Sequence, residues 1–241
     1  MKRKQANLIG AALFVFGIGL VGAADEGWYV GAGLGKSKLV DSISCTNFGS
    51  LFDAGYSCTE NRSDTAVQFF GGYRFNANLA VEAGHVDMGK FTGNLSGAIG
   101  GTASTIDDTI KAKGLKAAVV GTLPVGNGFS VLGRAGLFHW SVSDNINGTG
   151  AVTVTSAALN RAAAGGGPGG GGGGGGGGVT VCCNTSKDGN KVHFGVGVQY
   201  DVDEDIAVRA EFERYRDVGD QATTGQSDVD LLSVSVIYHF H

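Results

Sequence analysis

The sequence predicts an all-β fold, an eight-stranded antiparallel up-and-down transmembrane β-barrel, on three observations. Apolar residues alternate with polar residues or glycine in eight separate segments of the chain. Each segment has about ten residues, which is the length that a tilted strand needs to cross the apolar part of a membrane. The connections between the segments are alternately short and long, as in barrels with short turns on the periplasmic side and long loops outside the cell.

The C-terminal segment shows the alternation most clearly. Successive side chains of a strand point to opposite faces, so Leu232, Val234, Val236, Tyr238 and Phe240 share one face. An apolar row that ends in aromatic residues indicates a face toward lipid that stops at the membrane interface. The alternative for this segment alone is an edge strand of a soluble sandwich, and the other segments must decide between the two.

Seven earlier segments repeat the pattern. They cover residues 28–36, 66–75, 79–88, 110–123, 129–142, 192–200 and 206–215. Short turns are predicted at 76–78, 124–128 and 201–205, and long extracellular loops at 37–65, 89–109, 143–191 and 216–228. A lipocalin is also an exported eight-stranded barrel, but it places apolar residues inside, whereas the inward series here is polar or glycine. Closure into a barrel leaves no unpaired strand edge in lipid, which favours the membrane barrel.

The N-terminus predicts export. Residues 1–24 combine a basic start at Lys2, Arg3 and Lys4 with an apolar run and small residues, as in a cleaved signal peptide. We expect the mature chain to be one outer-membrane β-barrel domain, residues 25–241. Loss of three of the 18 basic residues, against 22 acidic ones, lowers the formal net charge from −4 to −7. This charge argues against a nucleic-acid partner.

The inward-facing positions predict a filled lumen. Glu82 and Arg209 are each the fourth residue of their segment counted from a short turn, and their segments lie on opposite walls of the barrel. We therefore predict an ion pair across the lumen, because buried charges need partners. The other predicted polar residues of the lumen are Gln68, Arg74, Lys116, Arg134, Gln199, Glu211 and Glu213. An eight-stranded barrel is only wide enough for its side chains, so they should largely plug it.

The outward-facing aromatic positions predict contacts with lipid or with the membrane interface. They are Trp28, Tyr73, Phe75, Phe194, Tyr200, Phe212, Tyr238 and Phe240. His85, His139 and His193 are expected near the outer rim, where amphipathic rings are common. We find no compact group of serine, histidine and acidic residues on that rim and no zinc-finger spacing, so the sequence predicts no catalytic site, cofactor or metal.

The cysteines and glycines mark the long loops. Four cysteines in an exported chain favour disulfides: Cys45 and Cys58 could close one loop, and pairing of Cys45 with Cys182 or Cys183 is the open alternative. Residues 165–178 are glycine apart from Pro168, and such a tract is expected to be flexible.

Several stretches resemble the OmpA-like transmembrane β-barrel family. They include Gly71-Gly72-Tyr73-Arg74-Phe75-Asn76, residues 194–200, residues 206–212 and the C-terminal Val234-Ser235-Val236-Ile237-Tyr238-His239-Phe240. The resemblance implies that the last strand is recognised by the barrel-assembly machinery. Gln199 and Val120 stand where the family often has a lumenal acid and lysine, which implies a simpler polar core. The chain also ends without the peptidoglycan-binding domain of larger members, so wall anchoring is not expected.

These observations favour a monomeric structural barrel of the outer membrane that contacts lipid with its wall and surface or host ligands with its loops. The alternatives are a small low-conductance pore, an adhesin acting through the extracellular loops, and, last, a lipid-active barrel enzyme.

Overall fold

The computed structural model describes residues 26–41, 44–155, 179–182, 185–221 and 224–240. The expected signal peptide (1–24) and glycine tract (165–178) lie outside these residues, as does Cys183. Within the described part of the chain, no helix is both long enough and apolar enough to cross a membrane.

The described chain consists almost entirely of strands. In order, these are β1 (Gly27–Leu39), β2 (Ser57–Asn61), β3 (Ser63–Asn76), β4 (Leu79–Ile99), β5 (Thr102–Gly126), β6 (Phe129–Thr149), β7 (Val152–Thr155), β8 (Val179–Cys182), β9 (Thr185–Asp201), β10 (Ile206–Asp220) and β11 (Gly225–His239). Between β1 and β2 lie a short helix, α1 (Ser44–Phe48), and a 3-10 turn, Gly49–Leu51.

Eight of the strands form a closed antiparallel barrel. The order is β1-β3-β4-β5-β6-β9-β10-β11, and β11 pairs back with β1. The predicted fold class is therefore confirmed. Of the other three strands, β2 extends the line of β3 along β4, and β7 pairs in parallel with β8.

Inward and outward positions alternate as the strand geometry requires. On β11, Leu232 and Val236 are exposed on the outside, whereas Ser233 and Ile237 are buried inside. Aromatic rings gather at the end of the barrel with the short turns, which we call the turn end. Trp28 contacts Tyr73 with ring centroids 5.1 Å apart, and Tyr238 contacts Phe240 at the same separation. Such a belt is typical of a membrane–water interface.

Strands extend well beyond the predicted segments at the opposite end, which we call the extended end. β4 and β5 continue through the predicted loop 89–109 to a tight turn at Gly100 and Gly101, whose φ values are 56° and 78°. β6 and β9 also reach into the predicted loop 143–191, and β10 and β11 into 216–228.

The alternation continues in these extensions, but here the apolar residues lie on the inner face and the polar residues on the outer face. Ile106 and Ile146 point inward, and polar Asp107 and Asn147 point outward. A segment outside the lipid exposes its outer face to water, so apolar residues move to the inner face. A prediction that requires apolar residues on the outer face therefore places the ends of these strands too early.

A small cap covers the inner face of the extensions. A disulfide joins Cys45 of α1 to Cys58 of β2, with the two Cα atoms 5.9 Å apart. Phe48 and Phe52 pack in a buried cluster with Leu95, Ile99, Ile106, Ile146 and Val152. The first long connection is thus a packed structure.

Candidate functional site: the barrel lumen

Inward side chains of the barrel form three successive layers. The turn-end apolar layer is Tyr29, Phe70, Ala80, Val120, Leu132, Ala207 and Ile237. The next is the ionic layer, built on Glu82, Lys116, Arg134, Arg209, Glu211 and Glu213. Beyond it, toward the extended end, lies the upper apolar layer, whose fourteen buried residues include Met88, Phe91, Phe138 and Trp140.

The contact between Glu82 and Arg209 spans the lumen. Arg209 on β10 donates from Nη1 to Oε1 of Glu82 on β4 over 2.5 Å. β4 pairs with β2, β3 and β5 and not with β10, so the two side chains reach each other through the interior. Tyr29 donates its hydroxyl to the same carboxylate oxygen at 2.8 Å, and Arg209 Nε donates to Gln199 Oε1 at 3.0 Å. The structure therefore brings together the two residues that strand counting paired.

Arg134 on β6 is the centre of the ionic layer. Its Nη2 lies 2.9 Å from Glu82 Oε2 and 2.6 Å from Glu211 Oε1, and its Nη1 lies 3.7 Å from Glu213 Oε2. The Arg134 side chain is fully buried. One guanidinium thus faces three carboxylates, which strand counting did not reveal because both β10 carboxylates reach toward β6.

A second ion pair completes the charge balance of the layer. Lys116 on β5 places Nζ 2.7 Å from Glu213 Oε1, and Nζ also donates to Gln68 Oε1 at 2.7 Å. The layer therefore holds three cations and three carboxylates, as buried charges require. Lys116 and Glu213 supply this pair at inward positions other than those of Val120 and Gln199.

Two further side chains border the ionic layer. The Tyr215 hydroxyl donates to Glu213 Oε2 at 3.0 Å. The His193 ring stacks on Tyr215 with centroids 5.2 Å apart, and its Nε2 lies 3.9 Å from Glu213 Oε2. The prediction of His193 on the outer rim is wrong. Its neighbours Val192 and Phe194 point outward, so the alternation itself places His193 inside.

The remaining predicted lumen residues have separate partners. Gln68 Nε2 donates to Ser233 Oγ at 3.0 Å and to Ser235 Oγ at 3.2 Å. Arg74 lies at the turn end, where its Nη2 is 3.0 Å from His239 Nε2. Arg74 therefore does not belong to the ionic layer.

Sequence reasoning missed the upper apolar layer. Phe138 is 0% exposed and Trp140 is 4% exposed, and both follow the same inward alternation on β6 as Arg134. Phe138 contacts Tyr215 edge to face, with ring centroids 4.7 Å apart. The expectation of a polar or glycine interior holds for the ionic layer but fails in the apolar layers on both sides of it.

The predicted lipid-facing aromatics lie on the outer surface. Trp28, Phe75, Phe194, Tyr200, Phe212, Tyr238 and Phe240 are exposed, and Tyr73 is half-buried between Trp28 and Phe75. An exposed band of this kind is what a lipid environment accommodates.

Comparisons with known proteins agree with this architecture. The model of the OmpA-like transmembrane domain family matches residues 23–241. Outer membrane protein A of Shigella flexneri is 25% identical over 240 residues, covering 99% of this chain and 56% of that protein. Outer membrane protein A of Salmonella typhi is 26% identical over 243 residues, covering 99% and 55%. The chain thus spans about half the length of these relatives.

Among solved structures, Neisserial surface protein A matches with a TM-score of 0.47 and 14% identity, covering 91% of this chain and all of that one. OprG from Pseudomonas aeruginosa matches with a TM-score of 0.47 and 12% identity, covering 89% and 96%. On the family match over nearly its whole length, the chain belongs to the OmpA-like transmembrane domain family and is a β-barrel of the outer membrane.

Proposed function

We propose that this protein is a structural and surface-interaction barrel whose lumen does not conduct. In the proposal, residues 1–24 are removed on export, residues 25–241 form a monomeric barrel, and the extended end faces outward from the cell. The observation that carries the non-conducting part is the stack of three buried layers in the lumen. Water and ions would have to pass two apolar layers as well as a balanced ionic layer.

Single-channel recording in planar bilayers tests the closed lumen. The purified full chain, refolded and checked by its heat-modifiable migration on a gel, should give no steady openings. A variant with Phe138→Ser and Trp140→Ser opens the upper apolar layer to water and serves as the comparison. Large, steady openings of the unmodified protein would support the low-conductance pore and remove the closed-barrel proposal.

An adhesin role is the second candidate, and the extended end is what favours it. β4, β5 and β6 project as a sheet beyond the lipid-facing band, and the cap on this sheet contains the Cys45–Cys58 disulfide. Replacing residues 91–110 with a short turn should abolish binding to cells or matrix if this end is adhesive. Unchanged binding would remove the adhesin role.

The proposed structural and surface-interaction function contains no catalytic step. Turnover of phospholipid or lipid A by the purified protein would contradict it.

We also propose that the last strand is recognised during assembly. Phe240 and Phe75 are exposed aromatics at the turn end, 48% and 43% exposed. Phe240→Ala should slow insertion by the assembly machinery, whereas Phe75→Ala should change only the stability of the inserted barrel. Equal insertion rates for the two variants, measured by the appearance of the heat-modifiable form, would remove this role.

A further inference from the structure

The cap at the extended end is attached to the sheet beneath it at two places. At its start, the Cys45–Cys58 disulfide joins α1 to β2, and β2 is itself paired with β4. At its end, the Asp53 N–H donates to Ala98 O at 2.8 Å, and the Asp53 carboxylate accepts the Gly101 N–H at 2.9 Å. The chain between Cys45 and Asp53 is therefore held by a covalent bond on one side and by hydrogen bonds on the other.

The inner surface of the cap covers apolar side chains of the sheet. Phe48 and Phe52 are 5% and 8% exposed, and they belong to one buried cluster with Leu95, Ile106 and Ile146. Burial of this apolar surface favours the closed cap. The helix α1 has only five residues, and a helix of that length is not stable by itself. The cap therefore depends on its contacts with the sheet.

One buried charge beneath the cap opposes closure. Asp108 of β5 is 1% exposed and makes no ion pair with any residue that the structure describes. Ser44 Oγ donates to its Oδ2 at 2.8 Å, whereas its Oδ1 has no hydrogen-bond partner among the described residues. A buried carboxylate without a counter-charge is unfavourable, and water would solvate it in an open cap. The closed cap thus carries a cost that the open cap does not.

The disulfide offsets this cost by restricting the released chain. Cys45 and Cys58 are 13 residues apart in the sequence. A cross-link over a loop of that length reduces the freedom of the released chain by a factor on the order of one hundred. Both cysteines are half-buried, so a thiol in solution has partial access to the bond. Reduction removes the restriction and leaves the uncompensated charge of Asp108 in place.

We propose that the cap is a redox-sensitive lid, which is closed while the Cys45–Cys58 disulfide is intact and opens when a dithiol reduces it. A thiolate of the dithiol attacks one sulfur and breaks the S–S bond, and its second thiol then displaces the protein thiol to leave a cyclic disulfide. Two electrons and two protons pass to the protein, and both cysteines become thiols. The helix α1 then swings away about Asp53, while β2 stays paired with β4. Opening exposes the apolar cluster of the sheet and hydrates Asp108.

Cleavage by chymotrypsin after Phe48 and Phe52 measures the open lid, because a protease cuts chain that is locally released. The full chain in nanodiscs is digested with and without dithiothreitol, and mass spectrometry locates the cuts. We expect reduction to raise the rate of cleavage at these two sites by at least about tenfold. Unchanged cleavage would overturn the proposal. Heat-modifiable migration before digestion verifies that the barrel itself remains folded.

The double variant Cys45→Ser/Cys58→Ser separates this disulfide from Cys182. It should show the fast cleavage without reductant, and dithiothreitol should add nothing to the rate. A slow rate for the double variant, or a further increase on reduction, would place the effect of the reductant elsewhere and overturn the proposal.

Asp108→Asn tests the buried charge, and Asp107→Asn is its matched control. The two residues are neighbours on β5, but Asp107 is exposed on the outer face, so each change removes one carboxylate from the same strand. In the reduced protein, Asp108→Asn should slow cleavage by about tenfold, because the amide still accepts from Ser44 Oγ and carries no charge. Asp107→Asn should leave the rate unchanged. Equal rates for the two variants would overturn the role of Asp108.

Gly93→Ala tests whether the lid closes through Ser44. A Cβ at Gly93 would overlap with the side chain of Ser44, so α1 must move away from the sheet. Gly121→Ala is the control, because a Cβ there meets nothing nearer than Gly133 O at 4.0 Å. Cleavage of the oxidised protein should rise for Gly93→Ala and not for Gly121→Ala. No rise for Gly93→Ala would overturn the closed position assigned to α1.

Discussion

The ionic layer and the upper apolar layer fill the same lumen by different means. In the ionic layer, six charges depend on one another, and Arg134 alone faces Glu82, Glu211 and Glu213. In the upper apolar layer, fourteen buried residues form one cluster that is held by apolar packing and contains none of the six charges. Buried charges gain little over apolar packing when complete but lose much when one partner is removed. The difference teaches that the free energy of unfolding depends more on single side chains in the ionic layer than in the upper apolar layer.

The largest effect is expected from Arg134→Met. The change leaves three carboxylates facing two cations in a buried space, and breaking a buried ion pair costs about 3–5 kcal/mol. The free energy of unfolding should fall by about that amount in urea titrations of the protein in lipid vesicles, followed by gel mobility.

Arg214→Met is the control for that experiment. Arg214 also forms a close pair with a carboxylate, but its side chain is 36% exposed on the outside of the barrel. An exposed pair contributes about 0–1 kcal/mol, so the loss should be small. If the two variants lost similar free energies of unfolding, the buried ionic layer would contribute no more than an exposed ion pair.

A somewhat smaller effect is expected from Phe138→Ala in the upper apolar layer. The substitution leaves a cavity beside Tyr215, and truncation of a buried phenylalanine costs about 3 kcal/mol or more before the neighbours relax. Met88 and Trp140 belong to the same buried cluster and can close part of the space. Vesicle unfolding should therefore show a lower stability, and bilayer recording should still show a closed barrel. If Phe138→Ala lowered the free energy of unfolding more than Arg134→Met, the upper apolar layer would be more sensitive to a single change than the ionic layer.

The two layers also differ in how far the sequence predicts them. The contact between Glu82 and Arg209 follows from counting residues from the turns, because register sets the depth of each side chain. The role of Arg134 depends on which way a long side chain turns, and counting does not give that direction. Phe138 and Trp140 point inward on the same strand as Arg134. They are apolar, however, whereas the sequence pattern predicted a polar lumen.

The same reasoning explains where the strand ends were misjudged. Alternation continues in β4, β5 and β6 beyond residue 89, but the outward residues change from apolar to polar near Asp87, Lys113 and His139. The point of inversion therefore marks the upper edge of the lipid-facing band. A search for alternation of either polarity would have found the full strands.

Among the variants of the lumen, the smallest effect is expected from removing the pair of Glu82 and Arg209 as a unit. Glu82→Gln/Arg209→Met takes away one negative and one positive charge and leaves Arg134 and Lys116 opposite Glu211 and Glu213, in balance. The double variant should lose less stability than the sum of Glu82→Gln and Arg209→Met, since each single change leaves an uncompensated charge. It should also remain closed in bilayer recordings, because both apolar layers are intact. Steady openings of the double variant, absent from the unmodified protein, would show that the ionic layer is the seal and that the upper apolar layer is not.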